Sequence, residues 1–197
     1  MAKHQAIAAT SSALLGLLKD RYPRDEFGPA LDFELYQSRN FESPMREGFS
    51  VFLYRVSING TVRNMTPRRA PEGRRFRPSL PLDLHYLVTP WAEDGGLQQK
   101  MLGWAMRLLE DLGVLTAGHL NHYVAETDIF APNEGLEIIC DPLALTDYLS
   151  LWERLRHNRL PTSATYTVRM LALDSEVRID DGPPVQTRRF DMGEVRP

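Results

Sequence analysis

Several residues have the types and spacing that chemistry could use. His119 and His122 stand three apart, with Glu126 and Asp128 just downstream. On a helix two such imidazoles would share a face, and a carboxylate could complete a metal site. HxxH alone recurs by chance, however, and no HExxH supplies a general base, so the pattern favours no metal. Asp83 and His85 lie two apart in LDLHYLVT. On a strand they point the same way, and a satisfied histidine at a packed surface is the commoner outcome than an acid-base dyad. Cys140 ends the apolar stretch LEIIC, which reads as a buried, inert thiol. There is no GxGxxG, no GxxxxGK[ST] loop and no GxSxG. The expectation is no catalytic residue, no cofactor and no metal, hence no enzyme.

A charge run offers a different chemistry. Between Asn59 and Ser79 stand Arg63, Arg68, Arg69, Arg74, Arg75 and Arg77 against the single acid Glu72. That is a local +5 in a chain of net charge -3, so the remainder carries -8. The pattern predicts a basic loop on an acidic body, fit for an acidic protein surface or a phosphate backbone. Only Phe76 is interleaved, so the stacking platform of a single-strand binder is missing and nucleic acid is the disfavoured partner. The chain has 20 Arg but only 3 Lys, and arginine suits interfaces because it pairs bidentately and keeps its charge when desolvated. Beyond Asp174 the sequence turns charged and turn-rich, with Val177, Ile179, Arg188, Arg189 and Phe190 spaced through it. EVRI and VQTRRF, on either side of Asp180 to Pro184, have enough alternating character to add strands to a sheet edge.

The bulk properties fit one soluble domain. The chain has 197 residues, 43% apolar and 25% charged, which excludes a low-complexity or collagenous chain. One cysteine cannot form an internal disulfide, so a reducing compartment is the simpler expectation. The N-terminus has an apolar run broken by Thr10, Ser11 and Ser12, and reads as neither signal peptide nor membrane anchor.

The elements that would position these residues follow from periodicity. Ile7, Leu14 and Leu18 form a helical stripe that Tyr22-Pro23 ends, predicting a helix over about 3–20. Residues 31–37 alternate as a half-buried strand with Leu31, Phe33 and Leu35 inward, and 38–48 read as loop. FSVFLYRVSI (49–58) is nearly continuous in apolar residues, which predicts a central strand covered on both faces. Asn59-Gly60 predicts a type I′ turn, with TVRNM returning as a short strand. Residues 66–79 read as an exposed loop and 80–89 as a strand. Leu97, Met101, Trp104, Leu108 and Leu112 mark the clearest helix, stopped by Gly113. After an ambiguous stretch come a short strand in GLEIIC, a helix over DYLSLWERLRHN capped by Thr146, and a strand over 163–173. The order predicts an α+β fold, a mixed β-sheet flanked by about three helices, with residues 1–174 as one domain and 175–197 as an extended arm.

Four segments carry a family resemblance: GFSVFLYRVSINGTVRN, LPLDLHYLVTPWAED, QQKMLGWAMRLLEDL and DYLSLWERLRHNRLPTSATYTVRMLALDS. In this order and spacing they resemble the cap, or tail-terminator, proteins of phage-tail-like contractile injection systems, in the family defined by the N-terminal domain of those caps. These motifs are structural and bring no catalytic residues with them. The resemblance implies a homo-hexameric ring that sits on the membrane-distal end of the inner tube and contractile sheath and stops their growth. It implies sheath and inner-tube subunits as partners, no membrane contact by this chain, and assembly in the cytoplasm into a particle that is released or anchored. It also implies that the arm docks by strand addition on a neighbouring cap subunit or the last sheath ring.

Overall fold

The computed structural model describes residues 4–62, 65–70, 73–126, 128–155 and 160–179. Helix α1 (Ala6–Arg21) runs until Tyr22, whose extended backbone leads into Pro23. Its two mid-helix hydroxyls are satisfied internally, Thr10 and Ser11 donating to the carbonyls of Ala6 and Ile7. The small residues Ala6, Ala9 and Ala13 therefore pack flush on the sheet beside Leu14, Leu17 and Leu18. A single turn, α2 (Arg24–Phe27), then leads to β1 (Asp32–Leu35), and β2 (Gly48–Ile58) follows a 3-10 turn at Ser38–Glu42. Two short strands, β3 (Arg68–Arg69) and β4 (Arg75–Phe76), precede the long β5 (Leu80–Trp91).

Helix α3 (Gly95–Leu112) is capped by Asp94, whose carboxylate accepts from the Leu97 amide at 2.7 Å, and is closed by Gly113 at φ 58°. The chain continues through β6 (Val114–Thr116), α4 (Ala117–His122), β7 (Gly135–Cys140), α5 (Leu145–Arg154) and β8 (Ala164–Leu173). Six strands form one sheet in the order β1-β2-β5-β8-β7-β6. Only β1 runs parallel to its neighbour, so the sheet is mixed and the fold α+β. Two of the five α-helices among the described residues, α2 and α4, are a turn or two long and carry no strong periodicity in the sequence.

Both faces of the sheet are packed, by different means. On one, Leu84, Tyr86 and Val88 of β5 lie with Phe49 and Val51 of β2 under α1 and α3. The Tyr86 hydroxyl, fully buried, finds Ser11 of α1 at 2.9 Å. On the other, Leu87 joins Tyr36, Phe41, Trp91, Trp152 and Leu155. Phe41 is the hub, with ring centroids 5.1 Å from Tyr36, 5.2 Å from Phe52 and 5.4 Å from Trp152.

Five expectations need correction. Residues 38–48 are more than loop, because the 3-10 turn drives Phe41 into the second cluster. In β1 Leu35 faces out and the next residue, Tyr36, is buried, because the strand ends there. β2 is covered only over its first half: β1 pairs with Gly48–Val51 alone, and Val56 and Ile58 are 44% and 53% exposed. Asn59-Gly60 makes no type I′ turn, since neither residue has positive φ and a 3-10 turn (Gly60–Val62) follows. Asn59 is buried instead, its side chain holding the Thr61 amide and Asp83. Finally, α5 starts at Leu145 with Ala144 before it, so Thr146 is not its cap.

Candidate functional site

The arginine run and the start of the C-terminal arm, read from the sequence as separate features, meet in space. β3 and β4 form a small antiparallel hairpin that pairs Arg68 with Phe76 and Arg69 with Arg75, so residues 66–79 are not a bare loop. Gly73, at φ 78°, supplies the left-handed residue its turn requires. Residues 177–179 then line up against β4: the Arg77 amide donates to the Val177 carbonyl and the Ile179 amide to the Arg75 carbonyl, both at 2.9 Å. Phe76 and Arg178 face each other as an antiparallel bridge. The Arg68 guanidinium stacks on the Phe76 ring, 4.5 Å from its centroid, and lies 3.6 Å from the Asp174 carboxylate. Asp174 also accepts from the Ser79 hydroxyl at 2.5 Å. Arg68 and Arg75 are thus half-buried parts of a three-stranded ribbon, whereas Arg69, Arg74, Arg77 and Val177 are exposed on it. Arg63 lies outside the described residues, as do Arg188, Arg189 and Phe190.

His85 does not pair with Asp83. Its Nε2 lies 2.8 Å from the Ser57 hydroxyl and its Nδ1 3.0 Å from that of Thr167, which donates to Asp141 at 2.8 Å. The chain Ser57-His85-Thr167-Asp141 crosses β2, β5 and β8, tying these strands together on the face that also carries Leu87. Burial, and then the nearby Arg55, hold the imidazole below its usual pKa, so it is neutral at physiological pH. Asp83 works elsewhere, accepting from the Asn59 side chain and from the Met170 amide at 3.2 Å. Met170 sits at φ 69° within β8, where the β5 pairing shifts register between Leu82 and Leu84. Asp83 thus anchors a bulge that turns Met170 outward, 46% exposed. No sequence signal marks this bulge, because a methionine in a strand gives no hint of left-handed backbone.

The remaining candidates are accounted for locally. His119 and His122 do share the short helix α4, where His119 Nδ1 is 3.3 Å from the Thr116 hydroxyl and His122 packs edge-on against Tyr123. Among the described residues no group of three or more His, Cys, Asp or Glu is placed to hold a metal ion. Cys140 is exposed, contrary to the buried reading, because β7 ends there and its side chain meets solvent. Partial burial and then Glu110 raise its thiol pKa, which leaves it protonated and weakly nucleophilic. Among the described residues no helix is long and apolar enough to cross a membrane.

The fold has solved counterparts. One is the PVC sheath/tube terminator of an extracellular contractile injection system in its extended state, at TM-score 0.61 and 17% identity over 96% of this chain and 64% of that one. Another is the tube-terminating cap of the anti-feeding prophage, at TM-score 0.54 and 16% identity over 92% of this chain and 59% of that one. The chain spans about three fifths of the length of these proteins. No curated protein sequence matches it closely enough to serve as a relative. The model of the Pvc16 N-terminal domain matches residues 9–187, nearly the whole chain, and the protein therefore belongs to that family.

Proposed function

We propose that this chain is a structural cap that ends the inner tube and contractile sheath of a phage-tail-like injection system, terminating their polymerisation and stabilising the sheath. The observation that carries this reading is the likeness of fold over 96% of the chain to a sheath/tube terminator, together with the family match. In this reading six copies form a ring in the cytoplasm, where the particle is built, and bind sheath and inner-tube subunits without touching a membrane. The chain performs no catalysis. Residues 1–174 form the capping body, and the segment that follows serves contacts beyond it.

The basic ribbon supplies one partner surface. Arg69, Arg74 and Arg77 project from a hairpin that is pinned to the body through Asp174, so their charge is presented in a fixed place. An acidic surface on the sheath or on the neighbouring cap subunit suits them, and Arg188, Arg189 and Phe190 extend the same contact. A deletion strain tests the whole reading. Electron micrographs should show tubes and sheaths of uncontrolled length or collapsed sheath, and particles of normal length and stability would overturn it. Replacing Arg69, Arg74 and Arg77 by Ser should weaken capping in a salt-dependent way.

A further inference from the structure

The main sheet has two open edges, and they differ in chemistry. Because the pairing with β1 ends at Val51, among the described residues the length of β2 from Phe52 to Ile58 has β5 on one side and no strand on the other. At the far side of the sheet, among the described residues, β6 pairs only with β7. Unpaired strand edges with exposed apolar side chains are templates for pairing with another chain, and both edges have this character. Val56 and Ile58 stand 44% and 53% exposed on the first, and Val114 is 48% exposed on the second.

The ground beside each edge carries opposite charge. Next to the open half of β2 lies a hollow of about 280 Å³ lined by Tyr54, Arg55, Leu151 and Arg154, with Asp147 as its one acid among the described residues. Next to β6 lies a hollow of about 500 Å³ lined by Glu110, Glu137 and the exposed Cys140, with no basic residue in its wall among the described residues. Arg169 reaches Glu137 at 3.6 Å from outside that wall, while Glu110 stays exposed. An apolar edge beside a basic hollow and an apolar edge beside an acidic hollow are complementary surfaces of one molecule.

We propose that these edges meet between copies: the β6 edge of one protomer docks on the open half of β2 of the next, extending the sheet across the contact. Such a contact is heterologous, so repetition closes into a ring when the rotation per copy allows it. Pairing strands supply the main-chain hydrogen bonds, Val56, Ile58 and Val114 share the apolar seam, and Arg55 and Arg154 face Glu110 and Glu137. This inference deepens the capping proposal by naming the ring contact, but its test needs the purified chain alone.

Sedimentation velocity over a concentration series at low salt should show self-association of the parent chain. Arg55→Glu with Arg154→Glu should weaken it at least tenfold, as should Glu110→Arg with Glu137→Arg. Mixing the two double variants should restore assembly, since each then offers the other a matching face. In a Cys140→Ser background, Val56→Cys with Val114→Cys should give a ladder of disulfide-linked oligomers on mild oxidation, and either cysteine alone should stop at dimers. A parent that stays monomeric at the highest concentration, reversed variants that associate like the parent, or no ladder would each overturn the contact. A chain that associates in this way yet leaves particle length unchanged on deletion would retain the contact and sink the capping proposal instead.

Discussion

At its start β2 places Phe49 and Val51 beneath α1, with the ring of Trp104 of α3 tilted against Phe49 at 5.6 Å between centroids, and both residues are at most 1% exposed. A few residues on, Val56 and Ile58 pair in register with Leu84 and Leu82, which are buried, yet are themselves about half exposed. The residue types are alike, and a register shift between Leu53 and Arg55 keeps Val56 and Ile58 opposite the buried side of β5. What differs is what lies alongside and above: β1 and the helices accompany only the first half. Burial is a property of the layer that covers a strand, and apolar residues that outrun the layer become contact surface.

The largest effect should come from the covered half. Phe49→Ala removes a ring packed between Phe33 and Trp104 and should cost about 3–5 kcal/mol in urea unfolding. A loss below about 1 kcal/mol would mean that this end of β2 is no more core than the other. Next comes a close approach on the same side. A Cβ on Gly16 of α1 would stand 2.2 Å from the Tyr123 ring, so Gly16→Ala must push that ring aside. The cost should be about 1–3 kcal/mol. The Tyr123 phenol, pushed up to about 12 by burial and then by its bond to Asp20, should titrate closer to the ordinary 10.0 in the variant, which ultraviolet absorbance would read.

His85 lies between the two regimes, and its signature is pH dependence. Its folded pKa is depressed below the usual 6.5, so as pH falls through that value the unfolded chain takes up a proton first and stability is lost. His85→Gln should flatten this acid-side loss while costing stability near neutrality through the Ser57 and Thr167 hydrogen bonds. Equal acid slopes for parent and variant would show that the imidazole is not held neutral. The smallest effect belongs to the uncovered half: Ile58→Ser should stay within about 0.5 kcal/mol of the parent in stability. A loss like that of Phe49→Ala would erase the contrast between the two halves.

Much of the frame was legible in one dimension because it rests on local rules. Gly113 stops α3, Tyr22-Pro23 ends α1, and the apolar run of β5 and the strand over 163–173 are where β5 and β8 lie. The arginine cluster and its excess over lysine were equally plain. The pairing partners were not. The sequence has no local mark that sends residues 177–179 back along β4, that puts Arg68 on Phe76, or that bonds His85 to Ser57 and Thr167 rather than to nearby Asp83. The first choice joins residues about a hundred apart and the last joins residues 28 and 82 apart, and periodicity carries no term for them.

The amino-acid sequence by itself determined the class of the fold, its longer helices and strands, the basic run and the resemblance to tail-terminator caps, because each depends on residue spacing along the chain. The tertiary structure alone decided which half of β2 is covered, that Cys140 is exposed, that Met170 adopts left-handed backbone over the Asp83 anchor, and that the arginine hairpin and residues 177–179 form one ribbon. The physical reason is common to all four. Exposure, strain and strand pairing are set by which distant segments pack against a residue, and the sheet order β1-β2-β5-β8-β7-β6 brings those segments together only after the chain has folded.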